Sequence, residues 1–171
     1  MKGRFKMKLK PNNFINHSPD HYASEYKIIQ QTLLNLLDSP VIKTYHIGST
    51  AIKGANTSGI IDILVIVKRL HEITTLDEKR LNLSGFYRLH HPYKKKCVFS
   101  QFDSLKTLNE QVRLHVVEND SKKQVQYLEG QRYLLNHIAE YNHFKQKIGA
   151  HLNLKQYEDE KSSWFLQCLS V

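Results

Sequence analysis

Cysteine is scarce. The 171 residues hold only Cys97 and Cys168, far apart and outside any CxxC spacing. That rules against a disulfide framework and fits a reducing compartment, so a cytoplasmic location is expected. Cys168 reads as a small core residue of a late helix. Proline (4) and glycine (7) are also few, and no linker, repeat or low-complexity stretch divides the chain. No apolar run reaches the roughly 18 residues a spanning helix needs, so no membrane partner is expected. The opening MKGRFKMKLK has positive charges but no apolar segment after them, unlike a secretory signal. Acidic residues are in deficit, 16 against 25 Lys and Arg, a formal charge of +9. Such an excess points to nucleotides, nucleic acid or anionic surfaces, or serves solubility alone. The ten histidines contain no HExxH, so that helical zinc motif is excluded.

What is there divides into a basic segment, 1–17, and one unit over 18–171. In the former, cations alternate with Phe5, Met7 and Leu9, which suits an edge strand or a tail. Ser18, Pro19 and Asp20 form a helix start. Tyr22, Tyr26, Ile29, Leu33 and Leu36 follow at helical spacing as far as Pro40. VIKTYHI (41–47) has strand composition, and IIDILVIV (60–67) has the continuous apolar character of a strand buried on both faces. Leu70, Ile73, Leu76 and Leu81 predict a helix ended by Gly85. KCVFSQF (96–102) and QVRLHVV (111–117) predict two further strands. From about Ser121 the chain is helical, with Val125, Leu128, Leu135 and Ile138 on one helix. Tyr141, Phe144 and Ile148 mark a second, and Tyr157, Lys161, Trp164, Phe165 and Cys168 a third. The fold class is α/β (α+β): a small mixed sheet, flanking helices and a helical C-terminal region.

The most informative stretch is HIGSTAIKGANTSGIIDILV (46–65). Gly48 after a strand permits a sharp turn, and the amides around Gly48, Ser49 and Thr50 could accept an anion such as phosphate. The same residues are ordinary turn chemistry. Asp62 is more unusual, because strand alternation puts it on one side with Ile60 and Leu64. A carboxylate there needs a divalent cation, a basic partner or a structural hydrogen bond to the glycine loop.

Gly-Ser, a glycine-containing loop and an acid-bearing apolar strand together resemble the nucleotidyltransferase superfamily signature. More specifically, HIGSTAIKG with IIDILV resembles the GrpB family. RLHVVE (113–118) is similar to that family's HLHV strand, which places His115 at its histidine. QRYLLNH (131–137) is similar to its FRDYLR segment, which matches Arg132. Tyr141, Lys145, Tyr157 and Lys161 fall at its tail tyrosines and lysines. The resemblance covers about residues 20–169. It implies a nucleotidyltransferase-like fold whose Gly-Ser grips a phosphorylated ligand and whose strand acids hold Mg²⁺ or Mn²⁺ for in-line displacement. The chain departs from the superfamily at Ile60, where a first carboxylate belongs. It departs from the family at Lys53, at Ser58-Gly59 and at Tyr133.

The resemblance makes Asp62 and His115 the catalytic and metal-binding candidates. His115 could instead donate a hydrogen bond to Asp62 and keep it ionised, and Glu118 follows at the strand end. An Asp-His pair suits Mn²⁺ or Zn²⁺ better than Mg²⁺. His46 is either a phosphate contact or acid/base group, or a histidine bonded to backbone. Gly48, Ser49, Thr50 and Lys53 complete the loop's phosphate-binding set, with Arg113, Arg132, Lys145 and Lys161 as further phosphate-facing cations. YKKK (93–96) reads as a solvated turn, or, with Tyr87, His90, His91 and Tyr93, as a surface on which a nucleic-acid strand could stack.

Two functions are expected side by side. One is nucleoside monophosphate transfer with a divalent metal. The other is non-catalytic binding of a nucleotide, a coenzyme A-like ligand or RNA by a site whose metal centre has degenerated. Relatives of the family also occur fused to dephospho-CoA kinase, which fits a phosphorylated small molecule. A basic docking face for a polyanion comes third.

Overall fold

The first helix begins where the capping signature places it. In the computed structural model, α1 spans Pro19–Leu34, with proline in its first turn and Ser18 Oγ accepting the His21 N–H at 3.3 Å. The structure describes residues 18–36, 38–90, 93–149 and 154–169. The basic segment 1–17 and His91 therefore lie outside the described residues. Strands β1 (Val41–Ile47) and β2 (Ile61–Val67) are followed by α2 (Thr75–Leu83) and β3 (Phe86–Arg88). Then come β4 (Cys97–Phe102), β5 (Glu110–Glu118), α3 (Lys122–Asn136), α4 (Ile138–Gly149) and α5 (Leu154–Leu169).

The sheet order is β1-β2-β5-β4-β3. β2 runs antiparallel to β1 and parallel to β5, and the β4–β5 and β3–β4 pairs are antiparallel. Being flanked on both edges and covered on both faces, β2 buries every residue from Ile63 to Val67, which explains its unbroken apolar run. On one face, Tyr22, Ile29 and Leu33 of α1 pack against Ile61, Ile63, Val65, Leu114 and Val116. On the other, Ile47, Leu64, Ile66 and Val117 meet Tyr127 and Leu128 of α3. A further cluster joins Ile52, Leu134 and Tyr141 to Trp164 and Phe165. Register sets Asp62 opposite Ile47 of β1 and Arg113 of β5, and alternation turns it to the α3 side.

Some local expectations change. The helix expected across Leu70–Leu81 is a 3₁₀ turn, Leu70–Glu72, followed by α2. Thr74 supplies a fresh N-cap there: its hydroxyl accepts the Asp77 N–H, and the Asp77 carboxylate accepts the Thr74 N–H. This capping box restarts the helix. The short β3 has no counterpart in the sequence reading, because three residues are too few to show alternation. α1 ends at Leu34, before Leu36. Val125, Leu135 and Leu76, read as core positions, are 49%, 53% and 54% exposed.

Candidate functional site

Asp62 anchors a chain of hydrogen bonds. His115, two positions after Arg113 on β5, places Nε2 2.9 Å from Asp62 Oδ1. A carboxylate only accepts, so Nε2 carries the proton and Nδ1 is the acceptor. Nδ1 accordingly lies 3.0 Å from the Tyr127 hydroxyl of α3, which in turn accepts from Lys96 Nζ at 2.9 Å. Along Lys96–Tyr127–His115–Asp62 each group donates to the next, which fixes one tautomer. Burial alone would push the Asp62 carboxyl up. The hydrogen bond from His115 and the positive charges of Lys161 and Arg113 outweigh it and hold the group well below the usual carboxylate range. Burial lowers His115, against the pull of Asp62, so the imidazole stays neutral. Burial and the Asp62 charge push the Tyr127 phenol far up, so it keeps its proton.

These groups form one wall of a cavity of about 510 Å³ between the sheet and α3, α4 and α5, within the size range of small-molecule sites. Lys96, Lys123, Arg113 and Lys161 line it, against the acids Asp62 and Glu129. Leu134, Tyr141, Phe165 and Leu166 give it an apolar side. Arg113 is backed by Glu110, with Nε donating to Oε1 at 2.8 Å, and Ser100 donates to the same oxygen. The glycine turn meets the acid here. Gly48 has φ of +75°, and a Cβ on it would come within 2.9 Å of Asp62 Oδ2. Only glycine suits that approach.

The cavity therefore brings together Gly48, Asp62, Arg113, His115 and Lys161. The other sequence candidates sit elsewhere. His46 points to the α1 side, stacks on Tyr26 at 5.1 Å and bonds Thr50 Oγ1 at 2.9 Å. Burial takes its pKa down to about 4, partly countered by Asp62. Ser49 and Thr50 are buried in a 3₁₀ turn, Ser49–Ala51. Lys53 and Arg132 are exposed and do not line the cavity. Lys145 is buried, and its Nζ donates to the Asn56 carbonyl at 3.0 Å and lies over the Tyr141 ring. It ties α4 to the loop before β2. Glu118 accepts the Leu70 N–H at 3.0 Å.

Residues 14–170 match the sequence profile of the family described as GrpB protein. The chain belongs to the GrpB family. A curated member, the glutamate-rich protein GrpB of Alkalihalophilus pseudofirmus, is 37% identical over 91 residues, about half (52%) of each chain. Among solved structures, the conserved protein GrpB from Enterococcus faecalis superimposes with a TM-score of 0.64 at 18% identity, covering 87% of this chain and 88% of that one. Cid1 in complex with its short product ApU superimposes with a TM-score of 0.47 at 13% identity, over 74% of this chain and 37% of that one.

Lys123, Tyr127 and Gln131 were not singled out in the sequence of this GrpB chain, and Lys96 was read only as part of the YKKK stretch, yet all four line the cavity. A signal did exist. Lys123, Tyr127, Gly130, Gln131 and Leu134 recur at helical spacing, one stripe of α3, but the stripe is mixed in polarity and so invisible to a search for apolar periodicity. The donor set does not fit a metal held by the protein alone. No group of three or more His, Cys, Asp or Glu converges among the described residues. His115 Nε2 is committed to Asp62, and a hard divalent ion needs several oxygen ligands.

Proposed function

We propose that the cavity binds a phosphorylated small molecule of nucleotide size, with lysine and arginine side chains supplying its counter-charge. The supporting observation is the wall of Lys96, Lys123, Arg113 and Lys161, which still exceeds the acids Asp62 and Glu129 and the Glu110 behind Arg113, around about 510 Å³. Arginine meets phosphate oxygens in bidentate fashion and lysine acts as a point charge. The apolar side, with Tyr141 and Phe165, suits a flat ring at the ligand's other end. Asp62 keeps His115, Tyr127 and Lys96 in register and balances the cationic wall.

Thermal shift and calorimetry with ATP, coenzyme A and inorganic pyrophosphate, each in EDTA and in Mg²⁺ or Mn²⁺, test this reading. Stabilisation in EDTA is the expected result, and absence of binding without metal would overturn it. The contact between the Gly48 turn and Asp62 favours a second reading, nucleotidyl transfer on a metal brought in by the nucleotide. Under it, transfer of labelled nucleotide depends on Mg²⁺ or Mn²⁺ and disappears in Asp62→Asn. Equal, background-level transfer in both proteins leaves the binding reading alone.

A further inference from the structure

Gln131 occupies the position that an anionic oxygen would take at the glycine turn. Its Oε1 accepts the Gly48 N–H at 2.7 Å, and its Nε2 lies 3.5 Å from the Gly48 carbonyl oxygen. A side chain of α3 thus pairs with both main-chain groups of a residue on the cavity wall. The carboxamide is neutral. An anionic oxygen at the same N–H would form a charge-assisted bond roughly twice as strong. Asp62 Oδ2 opposes that exchange, since it sits against Gly48. A single anion approaching the turn therefore meets repulsion as well as a donor. A second, linked anionic group resting on Arg113, Lys161 or Lys96, which line the same cavity, offsets that repulsion.

We infer that Gln131 is a specificity-determining guard on the Gly48 amide. It gives way to a ligand carrying two linked anionic groups and stays in place against a single one. This rests on the reading of the cavity as a site for phosphorylated ligands, and it adds what that reading lacks: a ligand of at least diphosphate character, reaching from the cationic wall to the turn.

The test uses the full chain with inorganic pyrophosphate and orthophosphate as probes. It follows the Gln131 side-chain NH₂ resonances and the Gly48 amide exchange rate, with affinities from calorimetry. In the wild type, pyrophosphate at saturation should shift the Gln131 NH₂ resonances and orthophosphate should not. In Gln131→Ala, the Gly48 amide should exchange at least about tenfold faster when free. Protection should return with pyrophosphate, and pyrophosphate should bind about 2- to 10-fold tighter, the worth of one net hydrogen bond. Gln131→Met keeps side-chain length without the acceptor and should behave alike if the alanine variant fails to fold. Pyrophosphate binding that leaves Gln131 and Gly48 unmoved would overturn the guard and leave the cavity reading standing. Displacement of Gln131 by orthophosphate alone would overturn the two-anion requirement. No binding by wild type or variants would overturn both the guard and the cavity reading.

Discussion

Single residues already carry sharp expectations. Gly48 combines a left-handed φ with a 2.9 Å approach of any added Cβ to Asp62 Oδ2. Gly48→Ala should therefore cost about 2–3 kcal/mol, from the backbone strain and the displaced carboxylate together. Chemical denaturation of the two proteins measures it, and a change within 0.5 kcal/mol (about the scatter of neutral surface substitutions) would refute it. A pH effect follows from His46. Its folded pKa, about 4, lies below the ordinary 6.5. Between those values the unfolded chain binds more protons, so stability present at pH 7 is lost as pH falls through 6.5 towards 4. His115, also lowered, acts in the same direction. Asp62, held ionised, contributes stability that is lost only as pH falls below the ordinary 3.8. From pH 7 to pH 5, His46 should account for roughly 1–2 kcal/mol after allowing for its partial exposure. Urea titrations at both pH values check it, since His46→Gln should flatten that slope. An unchanged slope would assign it to other groups.

At the scale of elements, α5 supplies one wall of the cavity. Trp164 holds it through ring contacts to Tyr133, Tyr141 and Phe144 at centroid distances of 5.7, 5.7 and 5.4 Å. Trp164→Ala should cost about 3 kcal/mol and loosen α5 before the sheet, because opening is local where packing is thin. Lys161 and Phe165 would leave the cavity with it. Pyrophosphate affinity should fall at least about tenfold while amide protection in β2 persists, and loss of both together would mean that α5 and the sheet unfold as one. The same elements show what a sequence exposes. β2 was plain because burial on both faces writes an unbroken apolar run, and α1 because Ser18-Pro19 caps it. The Asp62–His115 hydrogen bond is one of the two arrangements open once the resemblance to the GrpB family marks both residues. α3 was legible as a helix but not in its orientation. Its cavity-facing stripe contains Lys123, Tyr127 and Gln131, so apolar periodicity selected Val125 and Leu135, which are exposed. A helix that lines a polar site hides its functional face from that test.

At the scale of the whole molecule, net charge and site charge separate. Lys2, Arg4, Lys6, Lys8 and Lys10 stand in a stretch, 1–17, with no acid, so they supply five of the nine net positive charges. The cavity's own excess comes from Lys96, Lys123, Arg113 and Lys161 against Asp62, Glu129 and the Glu110 that pairs with Arg113. A long polyanion held by the first would respond through counterion release, with a salt slope of about 0.7 per phosphate contacted on a single strand. A small ligand enclosed by the second responds mainly to near neighbours, since solvent charges beyond about 8 Å are screened at physiological salt. Replacing all five N-terminal cations with glutamine should therefore shrink the salt slope for poly(U) and weaken its binding. If the cavity's own cations hold it, pyrophosphate affinity should stay within about twofold of wild type. Filter binding across a salt series and calorimetry give the two readouts on the same protein. Should pyrophosphate weaken in step with poly(U), the anion site would depend on the N-terminal cations and not on the cavity beneath α3 and α5.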